Sequence, residues 1–551
     1  MATPAFNLVT EPWIPCRDTN GNYLDLSLEK LFLEAHDLRE LATMEPPVTV
    51  AVLRLLLALS HRITNPDPGP YTLKNWKDTY KKQQFDQEDT HRYFNRWQNR
   101  FDLFDTEAPF YQSPSLNPTI KPDNAKYFRP ISLIEIGRAS GNNTTVWDHT
   151  CDNDERSLPP AEAARRLLAI QGFHLGGTVT REAGDKVRSS QAAPLTRSLF
   201  VHPTGANLFE TLLLNLAPPT PKSEDQSEDL CAWEGPPLLK PVPALNSTRE
   251  ERKIIPGPTG ILDYLTWQAR RILLHPIDSS GRVDKIILMR GRNFPEDWSN
   301  DDRRDLEPYV PFIPDKTRGY RTLEFKEDKA LWRDSQALFS YAEEPNAHTV
   351  KHDTGNVKRD TRPEILKRLS DLVESKALPE DHNYSLHAYG VGSNQAKYLF
   401  WRHEQLPLPT MLLDTKADEN EALGALETAL KKAEKTGGVL QKIIDDLFKE
   451  AASNSKVPVS MQAQHLYWPT LDLKYRQFLE QLTRISRSDS NSDSDSTEAI
   501  EHLQQKWENT LRTSAKDALN HAIAMIPTHT RDGLPAIVRA EEKLQRALAK
   551  I

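Results

Sequence analysis

The strongest constraint on the fold lies between residues 411 and 551, where apolar residues recur at three- and four-residue steps and no strand pattern intervenes. The clearest of these positions are Leu423, Leu426, Leu430, Ile443, Leu447, Ile500, Leu503, Trp507 and Leu511. This spacing puts the apolar side chains on one face of each helix, and helices bury such faces by packing on one another. We therefore predict an antiparallel four-helix bundle over residues 411–551.

Two segments predict interruptions within these helices. Gly437-Gly438 lies inside the first helical pattern and predicts a break, because glycine is a poor helix former. The acidic, serine-rich tract from Asp489 to Asp495 predicts a solvated linker without fixed structure between two of the helices.

Residues 1–410 have a different texture, with short strand patterns, short helices and long polar connections. The 40 prolines against 22 glycines indicate many rigid, irregular connections. Helices are predicted over Pro46–Ile63, where two prolines stand in the first turn, and over Ala161–Ile170 and Gly260–Leu274. The predicted class is α+β: a large, irregular mixed α/β N-terminal domain (1–410) followed by the helical bundle.

Composition narrows the functional class. Three widely spaced cysteines exclude a disulfide framework and a CxxC zinc pair, so neither a metal nor another cofactor is predicted. No uninterrupted apolar run reaches the roughly 18 residues of a membrane span, and the N-terminus lacks the pattern of a signal peptide, so a cytoplasmic protein without membrane contact is expected. The net charge of −8 does not favour general nucleic-acid binding, although it leaves room for a local basic site.

The segment Tyr389–Lys397 predicts a polar connection between two strands. An alternating run, Tyr384–Ala388, precedes it, and an aromatic run, Tyr398–Trp401, follows it. Glycines in the segment suit the positive φ of a tight turn, and the amides of Asn394 and Gln395 are the groups it would present to a partner. An ordinary polar turn explains the same pattern, so the residues alone leave its role open.

Two further glycine-adjacent polar tips are present. The stretch His174–Arg188 has little periodicity, and its glycines and three cations suit a loop that faces an anion. Arg290-Gly-Arg292 follows the strand-like Lys285–Met289 and predicts a cationic tip. Surface turns without a function are an equally simple explanation for both.

Catalytic patterns are weak. The sequence has neither a phosphate-binding Walker loop nor a GxSxG nucleophile elbow. His348, His352 and Asp353 admit an alternative hypothesis, a metal-dependent phosphohydrolase, but their polar surroundings favour a solvated loop. A third hypothesis is a purely structural assembly factor whose helices bind partner helices.

Four ordered stretches resemble a known family. They are Phe6–Pro15, Glu107–Gln112, Gly260–Ile272 and Asn394–Ala396. In order and spacing they are similar to CasA, the large subunit of the type I-E CRISPR surveillance complex called Cascade. Residues 411–551 match the four-helix bundle of that family by pattern only.

The resemblance implies a non-enzymatic reader of foreign DNA. Such a subunit recognises a protospacer-adjacent motif on double-stranded DNA from the minor groove, opens the first base pair to start R-loop formation, and helps recruit a helicase-nuclease. Its other partners would be the 5′ handle of the guide RNA and the other Cascade subunits. Residues 1–410 would then be the domain that recognises the DNA motif.

The resemblance also assigns roles by position. The wedge would be Gln395 with Ala396, beside a minor-groove contact at Asn394. A glycine loop lying against the motif would comprise Gly176, Gly177 and Thr178, and Arg290 or Arg292 would stand in for a family lysine at the groove. The residues expected to contact the guide RNA or neighbouring subunits are Val146, Trp147, Asp148 and His149.

Overall fold

The computed structural model describes residues 4–65, 72–138, 156–187, 189–217, 228–242, 247–253, 257–315, 319–339, 341–342, 359–379, 383–394, 397–413, 421–451, 459–487, 493–526 and 532–550. Strands and helices are interspersed up to residue 413, and the described residues beyond it form helices without strands. The predicted α+β class is therefore confirmed at the level of mixed helices and strands.

The helices are α1 (Leu28–Glu34), α2 (Pro46–Thr64), α3 (Leu73–Lys82), α4 (Gln87–Trp97), α5 (Pro160–Phe173), α6 (Leu208–Leu214), α7 (Arg249–Lys253), α8 (Ile261–Leu265), α9 (Asn300–Arg304), α10 (Ser335–Phe339), α11 (Glu364–Glu374), α12 (Glu421–Ala451), α13 (Val459–Arg487), α14 (Asp493–Ala524) and α15 (Gly533–Leu548). The strands are β1 (Ile14–Asp18), β2 (Tyr23–Leu26), β3 (Leu38–Leu41), β4 (Arg129–Pro130), β5 (Gly177–Thr178), β6 (Ser189–Ser190), β7 (Phe200–Thr204), β8 (Arg270–Pro276), β9 (Val283–Arg290), β10 (Phe312–Asp315), β11 (Gly319–Thr322), β12 (Tyr341–Ala342), β13 (Arg359–Asp360), β14 (Asn383–Asn394) and β15 (Lys397–Pro409).

Three small antiparallel sheets organise the N-terminal part. Their strand orders are β2-β1-β3, β15-β14-β7 and β4-β9-β8. The longest pairing joins β14 to β15 from Asn383↔Pro409 to Asn394↔Lys397. This hairpin runs from the core to the surface, because Leu386 and Ala388 are fully buried whereas Asn394 and Lys397 are exposed.

Helix α2 is the central core helix of the N-terminal part and confirms the prediction for Pro46–Ile63. Pro46 and Pro47 occupy its first turn, where a missing backbone N–H costs no hydrogen bond. Arg54 in its middle is compensated by a buried ion pair with Glu307 at 3.1 Å. Within the described residues, this helix alone is long and apolar enough to cross a membrane, and 89% of its apolar window is buried inside the protein.

The predicted helix over Gly260–Leu274 is wrong beyond its first turn. Only Ile261–Leu265 is helical, and Arg270–Pro276 is a strand that pairs with β9. Its side chains alternate: Ile272 and Leu274 are buried, and Leu273 between them is less so. The pairing across the sheet overrides a local pattern that suits either structure.

The break predicted at Gly437-Gly438 is also wrong, because α12 continues through both residues. Gly437 packs directly against the ring of Trp468 on α13, and a Cβ at this position would overlap that ring. The glycine therefore permits close approach of two helices. The acidic tract is likewise only partly a linker, because α14 begins at Asp493; residues 488–492 lie outside the described residues.

The four C-terminal helices pack on one another through the predicted apolar positions and through polar pairs. Trp507 donates to the carbonyl of Ala429 at 3.0 Å, and Tyr467 donates to that of Ala433 at 3.1 Å. Trp332 of the N-terminal part stacks on Tyr475 of α13, with ring centroids 4.7 Å apart. The boundary predicted between residues 410 and 411 remains a prediction.

Candidate nucleic-acid interface

The β14–β15 hairpin projects beyond its own sheet. β7 pairs with β14 only from Ser385 to Tyr389, so the part from Gly390 to Asn394 continues as a two-stranded ribbon. Asn394 and Lys397 form its last described pair, and both are exposed. Gln395 and Ala396, the predicted wedge, lie outside the described residues.

The hairpin glycines have a role that the sequence did not reveal. Gly390 and Gly392 lie within β14 and have no positive φ, so the turn predicted at these positions is wrong. A Cβ on Gly390 would lie 2.8 Å from the ring of Phe325, and one on Gly392 would overlap Phe400. The glycines thus let aromatic rings pack closely against the ribbon, because a side chain at either position would collide with the ring.

The segment that carries Gly176, Gly177 and Thr178 begins where α5 ends, and residues 174–191 are called the glycine loop from this point on. Gly177 and Thr178 form β5, which pairs with Ser189 and Ser190 of β6, and both β5 residues are exposed. Gly177 has φ +136°, and no atom lies within 4 Å of the position of a Cβ there. Gly176 differs, because its Cβ would lie 2.8 Å from the backbone nitrogen of Ala192. The loop therefore presents bare backbone to its surroundings.

The hairpin is hydrogen-bonded to the end of α5, directly before the glycine loop. Tyr398, next to the hairpin tip on β15, donates its hydroxyl hydrogen bond to the carbonyl of Phe173 at 2.9 Å, at the end of α5. Trp401, further along β15, covers Gly137, which has φ +95° and no room for a Cβ. Residues 139–155 follow directly, and they include the predicted guide-RNA or subunit contact, Val146–His149, which lies outside the described residues.

Buried Arg270 links the start of the glycine loop to its end. It is 1% exposed, and its guanidinium donates to the carbonyls of Leu175 (3.0 Å) and Gln191 (2.9 Å). It also lies 3.0 Å from Nδ1 of His174, whose pKa is lowered to about 3 by burial and by the arginine charge. Burial lowers the pKa of Arg270 itself to about 10, and in the described part of the chain no carboxylate pairs with it.

Two more buried arginines hold the middle of the loop. Arg271 pairs with Glu182 at 3.0 Å, and Arg290 pairs with Asp185 at 3.2 Å. The side chain of Arg290 is 1% exposed, so the exposed cationic tip predicted there is wrong. A buried guanidinium needs a partner to offset its desolvation, and the acidic loop residue supplies it.

Arg292 is similarly committed within the protein. It forms a bidentate ion pair with Asp263 and lies over the ring of Trp267, 3.7 Å from its centroid, with its side chain 25% exposed. Among the described residues of the glycine loop, the exposed cations are Arg181 and Lys186. Arg188 lies outside the described residues. One sequence feature could have indicated the buried arginines: Arg270 and Arg271 are adjacent and are followed by the apolar run Ile272–Leu274.

One of the sequence hypotheses is a metal site. Among the described residues, no group of three or more histidine, cysteine, aspartate or glutamate side chains is arranged to hold a metal ion. His348, His352 and Asp353, the residues of the phosphohydrolase hypothesis, lie outside the described residues.

Comparison with known proteins resolves the family. A model of the family described as CRISPR-associated protein Cse1 matches residues 7–518. The CRISPR-associated protein CasA/Cse1 of Thermus thermophilus is 30% identical over 563 residues, covering 99% of this chain and 98% of the relative. The chain belongs to the Cse1 family. The resemblance to CasA drawn from four sequence stretches is thereby confirmed.

Solved structures extend the Cse1 similarity to the fold. Thermobifida fusca Cse1 has a TM-score of 0.76 at 25% identity, covering 99% of this chain and 98% of that one. A chain of a CRISPR RNA-guided surveillance complex has a TM-score of 0.70 at 20% identity, covering 99% and 100%. Cse1 proteins are large, structural subunits of the Cascade surveillance complexes of CRISPR antiviral defence.

Proposed function

We propose that this chain reads a protospacer-adjacent motif on double-stranded DNA from the minor groove and opens the adjacent base pair with its hairpin tip. The observation that supports the proposal is the hydrogen bond from the Tyr398 hydroxyl to the carbonyl of Phe173, the last residue of α5. Gly177, whose backbone is exposed, follows Phe173 by four residues, so the hairpin is tied to the segment that leads into the glycine loop. A reader and a wedge must be adjacent if motif binding is to open the neighbouring base pair.

The physics of the minor groove suits this arrangement. The groove is about 6 Å wide, so a backbone without bulky side chains approaches it most closely. Its pattern of donors and acceptors is degenerate, so a protein that reads it tolerates several motifs. Unstacking a base step costs on the order of a few kcal/mol, which amide side chains offset by binding the exposed base edges. The rest of R-loop formation is nearly balanced, so a small local opening governs target capture.

The remaining roles follow from the same proposal. The chain acts without catalysing a reaction, as a cytoplasmic subunit that contacts the guide-RNA 5′ handle through Val146–His149 and helps recruit the helicase-nuclease. The four C-terminal helices form an antiparallel bundle that binds other subunits. Support for antiparallel packing comes from α12 and α15, where Asp446 pairs with Lys543 and Glu450, later in α12, pairs with the earlier Arg539.

Removing the amides at the tip is expected to slow R-loop formation on duplex DNA. Gln395→Ala, or Gly-Gly in place of Asn394-Gln395, deletes groups that would bind the opened base edges, so we expect a loss on the order of tenfold in rate for about 1.4 kcal/mol of lost stabilisation. The measurement is R-loop formation by the assembled complex. A target whose first base pairs are already mismatched is the control, because opening is then unnecessary and the variants should match the wild type. Equal rates on the fully paired target would remove the wedge assignment.

The exposed loop cations are expected to bind DNA phosphates. Neutralising Arg181 or Lys186 to glutamine should flatten the dependence of log affinity on log salt concentration by about 0.9 for each phosphate that the variant no longer binds. The affinity of the complex for motif-bearing duplex is measured between about 50 and 200 mM salt. Lys285→Gln, an exposed lysine on β9 outside the loop, is the matched control. Parallel salt dependences for all the variants and the wild type would show that the loop cations face solvent.

A further inference from the structure

A second candidate site lies at the base of the hairpin, away from the tip. It is a cleft of about 450 Å³ between the β2-β1-β3 sheet, the start of α2 and the β15-β14-β7 sheet. A cleft of this size accommodates a small organic group such as a nucleotide. None of the described residues of the hairpin tip or of the glycine loop lines this cleft.

One wall of the cleft is a layer of aromatic rings set by strand register. Tyr389 stands opposite His403 across β14 and β15, and His387 stands opposite His202 across β14 and β7. The rings of Tyr389 and His403 are parallel within 5°, with centroids 4.2 Å apart. The ring of His202 lies on the other side, parallel to Tyr389 within 7° and 5.7 Å away. His403 is exposed, so the stack ends in a free ring face.

The ring edges provide neutral hydrogen-bonding groups. Nδ1 of His202 donates to the carbonyl of Pro203 at 3.2 Å, which leaves Nε2 of that ring as an acceptor. Nδ1 of His387 lies 3.1 Å from Nε2 of His403 and 3.3 Å from the hydroxyl of Tyr389. Burial lowers the pKa of His202 to about 4 and that of His387 to about 2, so both are uncharged near neutral pH. Nε2 of His202 is therefore a neutral, in-plane acceptor of the kind that pairs with the edge of a heterocyclic base.

A cation without an acidic partner stands among the residues lining the cleft. Arg39 donates through Nη1 to the carbonyls of Gly205 (3.3 Å) and Ala206 (2.5 Å), and in the described part of the chain it pairs with no carboxylate. Arg17, the other arginine of the cleft, is in contrast paired with Glu40. Arg39 is also exposed, so its remaining N–H groups are available to an anion.

We propose that this cleft binds one unstacked nucleotide of a single-stranded nucleic acid, with the base against the ring wall and a phosphate on Arg39. Sheet faces that carry aromatic rings and adjacent cations hold single strands in this way, by stacking and phosphate contact. Asn394 stands five residues beyond Tyr389 on the same strand, about 16 Å at about 3.3 Å per residue. A strand separated at the hairpin tip therefore reaches the cleft within a few nucleotides. The choice of nucleic acid over another anion rests on the proposed function.

The test uses the full chain and fluorescently labelled single-stranded hexanucleotides of RNA and of DNA, in separate titrations. His403→Ala removes the exposed stacking ring and Arg39→Gln removes the phosphate partner, and each is expected to weaken binding on the order of tenfold. His275→Ala, which removes a partly exposed histidine on another sheet, is the control and should bind as the wild type does. The oligonucleotide bound more tightly identifies the source as guide RNA or as a DNA strand, and either result supports the site.

A second measurement keeps the inference testable if a variant misfolds. A hexanucleotide containing 4-thiouridine should crosslink, in the wild-type chain, to peptides that contain Tyr389 or His403. Crosslinks elsewhere only, or wild-type affinity in both variants, would overturn the site. Motif-dependent duplex binding by the assembled complex is measured in parallel. If the wild-type complex bound motif-bearing and motif-free duplex equally well, the proposed function would be refuted. The crosslink tests the cleft independently of that result.

Discussion

Replacing Arg270 with methionine is expected to free the glycine loop and abolish most motif-dependent DNA binding. The guanidinium is the common donor to the carbonyls of Leu175 and Gln191, which lie on opposite legs of the loop. Methionine fills similar space but leaves these buried acceptors without a partner, at a cost of about 1–3 kcal/mol for each. We expect amide hydrogen exchange in residues 174–191 to accelerate on the order of 100-fold, and binding of motif-bearing duplex by the complex to weaken at least about tenfold.

Lys285→Met is the matched control for this substitution. It also replaces a cation in the same β8–β9 hairpin, but its side chain is 55% exposed, so the expected effect on stability is within about 0.5 kcal/mol. Unchanged exchange in the loop of the Arg270 variant would show that other contacts hold the loop. Faster exchange with unchanged motif-dependent binding would instead show that the loop does not read DNA.

Adding a side chain at Gly177 is expected to reduce motif-dependent binding more than an equal change elsewhere in the same loop. Gly177 has φ +136° with open space around it, so Gly177→Ala introduces backbone strain of about 1–3 kcal/mol together with a methyl group on the surface that would face the groove. We expect a loss of about 1–3 kcal/mol in motif-dependent binding by the assembled complex, comparable to one mismatched base pair.

Gly184→Ala separates strain from obstruction. Gly184 has φ +86°, lies in the same loop and also has no atom within 4 Å of the position of a Cβ, so it carries similar strain at a different point of the surface. We expect it to destabilise the loop to a similar degree, measured by hydrogen exchange, while retaining more motif-dependent binding. Equal losses in the two variants, or a loss on motif-free DNA as large as on motif-bearing DNA, would contradict the placement of Gly177 against the groove.

Much of the fold was accessible from local sequence patterns. The helix predicted over Pro46–Ile63 is observed at Pro46–Thr64, and the one predicted over Ala161–Ile170 is observed at Pro160–Phe173. Both have prolines in the first turn and apolar residues at helical spacing, and both signals act within the segment itself. The helical C-terminal region was predictable for the same reason. The failures came at Gly260–Leu274 and at Gly437-Gly438, where the deciding neighbour is another segment: β9 in one case and Trp468 in the other.

The candidate site was predictable only in outline. Sequence patterns and the family resemblance pointed to the hairpin segment and to Gly176–Thr178, and in the structure a hydrogen bond joins the hairpin to Phe173, three residues before Gly176. The same patterns placed Arg290 at an exposed tip, whereas it is buried against Asp185. The sequence near a cation does not reveal whether its side chain is exposed, because a buried charge depends on its partner. For Arg290 that partner, Asp185, lies 105 residues away along the chain.

The amino-acid sequence by itself determined the α+β class, the helical C-terminal region and the Cse1 family, because periodicity and ordered stretches depend only on residues close to one another in the chain. The tertiary structure alone decided that the hairpin is bonded to the end of α5, that three buried arginines bind the glycine loop, and that histidines from two distant segments line one cleft. These arrangements join residues far apart in the chain: Arg270 and Leu175 are 95 positions apart, and Tyr398 and Phe173 are 225 positions apart. Buried polar groups need hydrogen-bond partners, and in the folded chain these partners come from distant segments. A local sequence pattern does not show which distant residue will be the partner.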